Sequence, residues 1–255
     1  MARHAALREA LDELVTANRI LAREGIVDAF GHASVRHPDR PDRFFLSRAR
    51  APGCIEAEDL LEITLDGTVL DADGRPAYAE RFIHAAVYEA RPDVRAVIHN
   101  HSPSVIPFGV TSTPLRPLLH MAASMGTHVP LWDSQTRFGD TNLLVTNVEM
   151  ARDLALTLGR HAVVLMRGHG CTVAGGSLRE TVFNAIYLEL NAALQLQAHS
   201  LEARGLGGVT FLSDGEISAV LKTRSAFTFE RAWEHWCHRA GRPYDARPLT
   251  GPLAG

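Results

Sequence analysis

Three histidines and one glutamate have the types and spacings that chemistry needs. His99 and His101 flank a single asparagine at the end of the apolar run VRAVIH, residues 94–99. Successive side chains of an extended chain point to opposite sides, so these two imidazoles share a side as long as the extension persists. Imidazole is a common ligand of zinc and similar divalent ions, and a catalytic metal usually has about three protein ligands and one open position. His169 is the next candidate, because Gly168 and Gly170 flank it and let the backbone turn sharply to present the ring. Glu80 opens the helical pattern just upstream of the His99 strand, which can bring a carboxylate close. Each signal also has a plain structural alternative. In a chain of thirteen histidines an H-x-H pair arises by chance, and His169 alone fits an ordinary turn. His84 fits a helix that packs it, His120, His128 and His161 fit strand ends or loops, and His4, His37, His199, His235 and His238 fit the surface.

The elements that must position these groups are readable from periodicity. Leu7, Leu11, Leu14, Val15 and Leu21 recur at helical spacing, so the first 25 residues read as an amphipathic helix and not as a signal peptide. Residues 28–37 read as a turn and a strand, and residues 44–48 and 61–67 as further strands. Phe82, Ala86 and Ala90 share one face of a helix over 78–90, and RPDV stops it before a buried strand at 94–99. Residues 127–133 read as a strand, 147–160 as a helix with Asn147 as N-cap and Gly159 near its end, and 161–175 as a strand, a glycine turn and a strand. The longest helix spans 177–205 and opens on Ser177 with Glu180 three residues on, a capping-box pattern. Beyond about residue 206 the pattern is less regular, and the tail TGPLAG is expected to be mobile. The mix predicts one domain over 1–255, an α/β or α+β fold with a central sheet under helices.

Composition excludes several functions. The chain is 46% hydrophobic with a formal net charge of −3 and no basic stripe, so nucleic acid is not an expected partner. No apolar run is long enough to span a bilayer, so no membrane is expected. Cys54, Cys171 and Cys237 are scattered and odd in number, which fits a reducing cytoplasm rather than a disulfide framework.

The order Glu80, His99-x-His101, Gly-His169-Gly resembles the class II aldolase/adducin-head family. The resemblance runs from about residue 8 to about residue 205. AERFIHAAVYEARPDVRAVIHNHSP, residues 79–103, matches the family segment ending in H-T-H-S-P, and RGHG matches its third-ligand turn. The resemblance implies that His99, His101 and His169 hold a divalent metal, Zn2+ or Mn2+, and that Glu80 is the acid/base residue or a labile fourth ligand. It implies a three-layer α/β/α sandwich with a mixed, largely antiparallel sheet, and a homotetramer with active sites at subunit interfaces.

The chain departs from the sugar-phosphate aldolases of that family at the segments that cradle the phosphate. G-N-x-S is here Gly31-His32-Ala33-Ser34, T-P-S-G is replaced by Leu46-Ser47-Arg48-Ala49-Arg50, and Tyr78 and Ala79 stand where two serines precede the acid. A phosphate nest needs small residues, hydroxyls and backbone N–H groups, and most of those hydroxyls are missing. Arg48, Arg50 and Arg81 stand in the same segments, and a guanidinium fork pairs with a planar carboxylate. Ser47, Arg48, Arg50, Arg81 and Ser34 are therefore the expected substrate contacts. WDSQTRFGDTNLLVTN, residues 132–147, together with LSRAR, is similar to the family branch that decarboxylates hydroxylated aromatic or pyridine dicarboxylates, such as 3-hydroxy-2-methylpyridine-4,5-dicarboxylate. The resemblance implies a small carboxylate substrate and a carboxy-lyase, with Glu80 supplying the proton and Tyr187 or His32 behind it. Retro-aldol cleavage is the alternative activity, and a non-enzymatic interaction module of the adducin type is the alternative of another kind. Trp132, Arg137 and the C-terminal aromatic residues are open as contributions to a neighbouring subunit.

Overall fold

The computed structural model describes residues 2–244. In chain order its elements are α1 (Ala2–Arg23), β1 (His32–Arg36), β2 (Arg43–Ser47), β3 (Leu60–Thr64), β4 (Val69–Leu70), α2 (Arg81–Ala90), β5 (Ala96–Asn100), α3 (Ile106–Gly109), β6 (Leu131–Trp132), α4 (Ser134–Phe138), α5 (Val148–Leu158), β7 (Val163–Met166), β8 (Gly170–Gly175), α6 (Leu178–Ala203), α7 (Asp214–Thr223) and α8 (Ala226–Arg239). The tail TGPLAG lies outside the described residues.

The strands form one sheet in the order β4-β3-β2-β1-β5-β8-β7-β6. Neighbours are antiparallel except β6 and β7, which run parallel. Side-chain alternation divides the core between the two faces. Along β5, Ala96 and Ile98 join Leu14, Ile20 and Leu21 of α1, Phe183 of α6 and Trp236 of α8. Val97 points the other way and joins Ile83 and Val87 of α2 with Met150, Leu154 and Leu158 of α5. Full burial of each such side chain contributes roughly 1.5–3 kcal/mol, so both helical layers are tied to the sheet. The result is the three-layer α/β/α sandwich that the resemblance implies.

The caps are made by the residues whose types favour them. Asn147 accepts from the Met150 amide at 2.9 Å, and Gly159 closes that helix with φ +51°. Ser177 accepts from the Glu180 amide at 3.1 Å, but Glu180 answers to the Gly176 amide, at 2.9 Å, instead of to Ser177. Two expectations need correction. The strand expected over 127–133 shrinks to Leu131–Trp132, since only these two residues pair with β7. The segment after residue 206 carries two helices. Ser213 and Glu216 form a complete capping box at the start of α7, and Trp233, Trp236 and Cys237 bury one face of α8.

Candidate active site

β5 carries the first ligand candidate to the middle of the sheet. His99 lies on the same side as Val97, toward α2 and α5, and pairs in register with His32 of β1. Extension persists past the strand end, because His101 meets His99 with their Nε2 atoms 3.2 Å apart. His169 arrives from the β7–β8 turn, where Gly168 adopts φ +67°. A Cβ on Gly170 would lie 2.1 Å from the Asn100 carbonyl oxygen, so only glycine lets the turn press this close to β5. The ring of His169 then stands 4.8 Å from that of His99 and 4.9 Å from that of His101, centroid to centroid. One ligand atom from each of the three residues lies within 4.8 Å of the others.

The donor chemistry fits a divalent cation. His99 Nδ1 is 3.1 Å from the Cys171 carbonyl oxygen. A carbonyl only accepts, so the proton sits on Nδ1 and Nε2 offers its lone pair to the cluster. Burial, and then the neighbouring imidazoles, hold His99 well below the ordinary histidine range. Burial and His101 bring His169 to about 4, and burial also lowers His101. All three rings are neutral at pH 7, the form that binds metal.

Glu80 is the N-cap residue of α2, yet its side chain caps nothing. Oε1 accepts from the Val145 amide at 2.9 Å. Oε2 stands 3.8 Å from His99 Nε2 and 3.7 Å from His169 Nε2. Burial pushes this carboxyl up to about 7, against the lowering effect of the Val145 N–H. The segment 139–145 is shaped for that contact. Thr141 Oγ1 accepts from the Leu143 amide at 3.0 Å, Asn142 Oδ1 from the Leu144 amide at 3.1 Å, and Leu143 itself takes φ +66°. A bulky residue in that region of backbone space marks strain held by its surroundings.

A second wall runs from His32 to the arginines. His32 rests 5.2 Å from His99 and 4.6 Å from Tyr78, centroid to centroid. Tyr78 donates its hydroxyl to the Arg50 carbonyl. Arg48 Nε and Arg50 Nη1 each reach one oxygen of Asp59 at 2.6 Å. Burial alone would raise the Asp59 carboxyl, but hydrogen bonds from Arg48, the Glu56 amide and Arg50 outweigh it and hold the pKa at about 2. Two guanidinium groups share one carboxylate, so one positive charge is left over and both arginines keep donors to spare.

Other expected contacts are placed elsewhere. Ser34 is fully buried and bonds His84 and Tyr88 on the α2 side of β1, which leaves its hydroxyl no open surface to offer. Ser47 is buried at the end of β2, with almost none of its surface open. Arg81 donates to the Gly67 and Tyr78 carbonyls and lies over the Phe82 ring, which turns it toward the β3–β4 turn and away from the triad. Tyr187 packs on Phe183 and Trp236 in the layer across the sheet from His99, because residues 183 and 187 share a helix face. Trp132 is buried and donates its indole N–H to Asp153 at 2.8 Å, so it is not offered to a neighbour. Tyr78, Asp59, His84 and the Val145 amide were not expected. Tyr78 had a signal, since it replaces a serine before the acid. A backbone amide 65 residues away has none.

Residues 12–196 match the family described as the class II aldolase and adducin N-terminal domain. The chain belongs to this family. Among curated class II aldolase-family relatives, the decarboxylase tropJ of Talaromyces stipitatus is 37% identical over 236 residues, 85% of this chain and 88% of that protein. A 3,4-dihydroxyphthalate decarboxylase of Arthrobacter keyseri is 30% identical over 247 residues, covering 91% of this chain and 93% of the relative. Among solved structures, an L-fuculose 1-phosphate aldolase from Glaciozyma antarctica PI12 superposes with a TM-score of 0.77 over 96% of this chain and 94% of that one, at 24% identity, and so shares the class II aldolase fold. Decarboxylases and aldolases of this kind both cleave carbon–carbon bonds. No helix among the described residues is long and apolar enough to cross a membrane.

Proposed function

We propose that this protein is a divalent-metal-dependent carboxy-lyase acting on a hydroxylated aromatic or pyridine dicarboxylate. The observation that carries the reading is the convergence of three neutral imidazoles beside Glu80. The two decarboxylases that align over most of the chain support the choice of activity, and the Arg48–Arg50 pair supports a second carboxylate on the substrate. His99, His101 and His169 would hold Zn2+ or Mn2+, both of which accept imidazole. A cation bound there supplies Lewis acidity for the negative charge that decarboxylation leaves beside a ring oxygen.

The chain's own groups do the rest. Arg48 and Arg50 hold the carboxylate that stays, which orients the ring and selects the one that leaves. The ring carbon–carboxylate bond breaks, CO2 departs, and the electron pair remains on the ring carbon. Glu80 delivers the proton that fills that valence. Its burial supplies a bias toward the protonated carboxyl that the cation opposes. The reading extends to a homotetramer, and three unpaired cysteines, two of them buried, suit a reducing cytoplasm.

The test is to load the protein separately with zinc and with manganese, offer hydroxylated phthalates and hydroxypyridine dicarboxylates, and measure CO2. Release of one equivalent per substrate is expected. Turnover of sugar phosphates with no CO2 from any acid would assign retro-aldol cleavage instead.

A further inference from the structure

On the α2 side of β1 a chain of hydrogen bonds runs from His32, beside the triad, into the core. His32 Nδ1 meets His84 Nε2 at 2.7 Å, His84 Nδ1 meets Ser34 Oγ at 2.6 Å, and Ser34 Oγ meets the Tyr88 hydroxyl at 2.8 Å. His84, Ser34 and Tyr88 are at most 1% exposed, and His32 is 3% exposed. Packing alone does not call for this, since apolar side chains fill such a volume without polar groups that must each be satisfied.

The direction of the chain follows from its far end. Among the described residues, the acceptor within reach of the Tyr88 hydroxyl is Ser34 Oγ, so Tyr88 donates to Ser34. Ser34 must then place its own proton. The His84 nitrogen at 2.6 Å is a better acceptor than the Val97 carbonyl at 3.5 Å. His84 therefore accepts at Nδ1, carries its proton on Nε2, and donates to His32 Nδ1. The proton of His32 is left on Nε2, the ring edge away from His84. His32 stands directly across the register from His99.

We propose that Tyr88, Ser34 and His84 are positioning residues that hold His32 in its Nε2–H tautomer, and that this N–H donates to an anionic oxygen of the substrate beside the triad. The second half rests on the carboxy-lyase reading above. A donor fixed before the substrate arrives needs no reorganisation when charge develops.

The tautomer can be read without substrate. Long-range 1H–15N correlation spectra of 15N-labelled, zinc-loaded protein distinguish Nε2–H from Nδ1–H imidazole, and His32→Asn identifies the resonance. Wild type is expected to show Nε2–H at His32. Ser34→Ala cuts the relay, so an Nδ1–H population should appear and kcat should fall roughly tenfold, the size of one hydrogen bond. KM should stay within about twofold, and Ser34→Thr should restore both the spectrum and kcat. His84→Phe, which removes the donor to His32 Nδ1, gives the same reading if Ser34→Ala does not fold. An Nδ1–H signal in wild type, or an unchanged Nε2–H signal in both variants, would overturn the relay. A correct tautomer in a protein that releases no CO2 from any acid would overturn the substrate contact together with the reading it rests on, and would leave the relay standing.

Discussion

The Val145 amide donates to Glu80 Oε1 at 2.9 Å, which leaves Oε2 facing His99 and His169 at 3.8 and 3.7 Å. One oxygen anchors the side chain and the other addresses the triad. Glu80→Gln preserves the anchor, since a glutamine oxygen also accepts from an amide, and it removes the exchangeable proton. It should lower kcat by about 10²–10⁴. Bound zinc, measured by elemental analysis, should change little. An enzyme of full activity would exclude Glu80 as the proton donor.

The same carboxyl predicts a pH dependence of stability in the metal-free protein, where no cation pulls its pKa back down. Its pKa is raised from 4.5 to about 7 by burial. Through that window the unfolded chain gives up a proton that the folded chain keeps, so stability declines as pH rises. Metal-free Glu80→Gln lacks that decline. Its Tm should exceed wild type at pH 8 and approach it at pH 4, read by calorimetric scans across pH. Parallel curves for the two proteins would contradict the assignment.

His101 is half-buried and lies outside both core clusters, whereas His99 is fully buried. His101→Ala should lose stoichiometric metal and CO2 release together while keeping the far-ultraviolet circular dichroism of wild type. Full zinc content in this variant would dissolve the triad as a metal site.

Arg48 and Arg81 were both expected to contact substrate, and the fold separates them: Arg48 pairs with Asp59 and Arg81 with the Gly67 and Tyr78 carbonyls. Arg48→Met should raise KM for a dicarboxylate by roughly tenfold or more, the worth of a charge-assisted hydrogen bond. A monocarboxylate analogue should be affected much less. Arg81→Met should leave KM unchanged and lower Tm, because its guanidinium ties α2 to the Gly67 turn. The reverse pattern would exchange their roles.

Asp59 links the clamp to acid stability. Its carboxyl titrates at about 2 instead of 3.8, so its contribution is complete above the higher value and is lost as pH falls toward the lower one. Asp59→Asn should melt at a lower temperature than wild type at pH 7 and approach it at pH 2. A constant Tm difference across that range would show that the ion pairs do not couple to folding.

Much of the site was legible because it obeys two short-range rules. Strand alternation placed His99 and His101 on one side, and the glycines around His169 announced a sharp turn. What stayed hidden depends on long-range approach. Ser34 shares a strand face with His32, and the sequence could not show that His84, 50 residues on, occupies the space in front of its hydroxyl. Tyr187 is two turns into a helix buried on several sides, so periodicity could not say which layer it joins. The C-terminal helices were missed although Ser213 and Glu216 spelled a capping box, because the glycine-rich stretch before them masks the onset of the pattern.

The contact of Gly170 with the Asn100 carbonyl has a consequence for how such a site diversifies. The histidine triad is set by main-chain proximity between two strands, while the groups proposed to meet substrate are replaceable side chains on β1, β2 and the loop before α2. On the carboxy-lyase reading, exchange of hydroxyls for guanidinium groups on that rim would change the anion that is recognised and leave the spacing of the three imidazoles as it is.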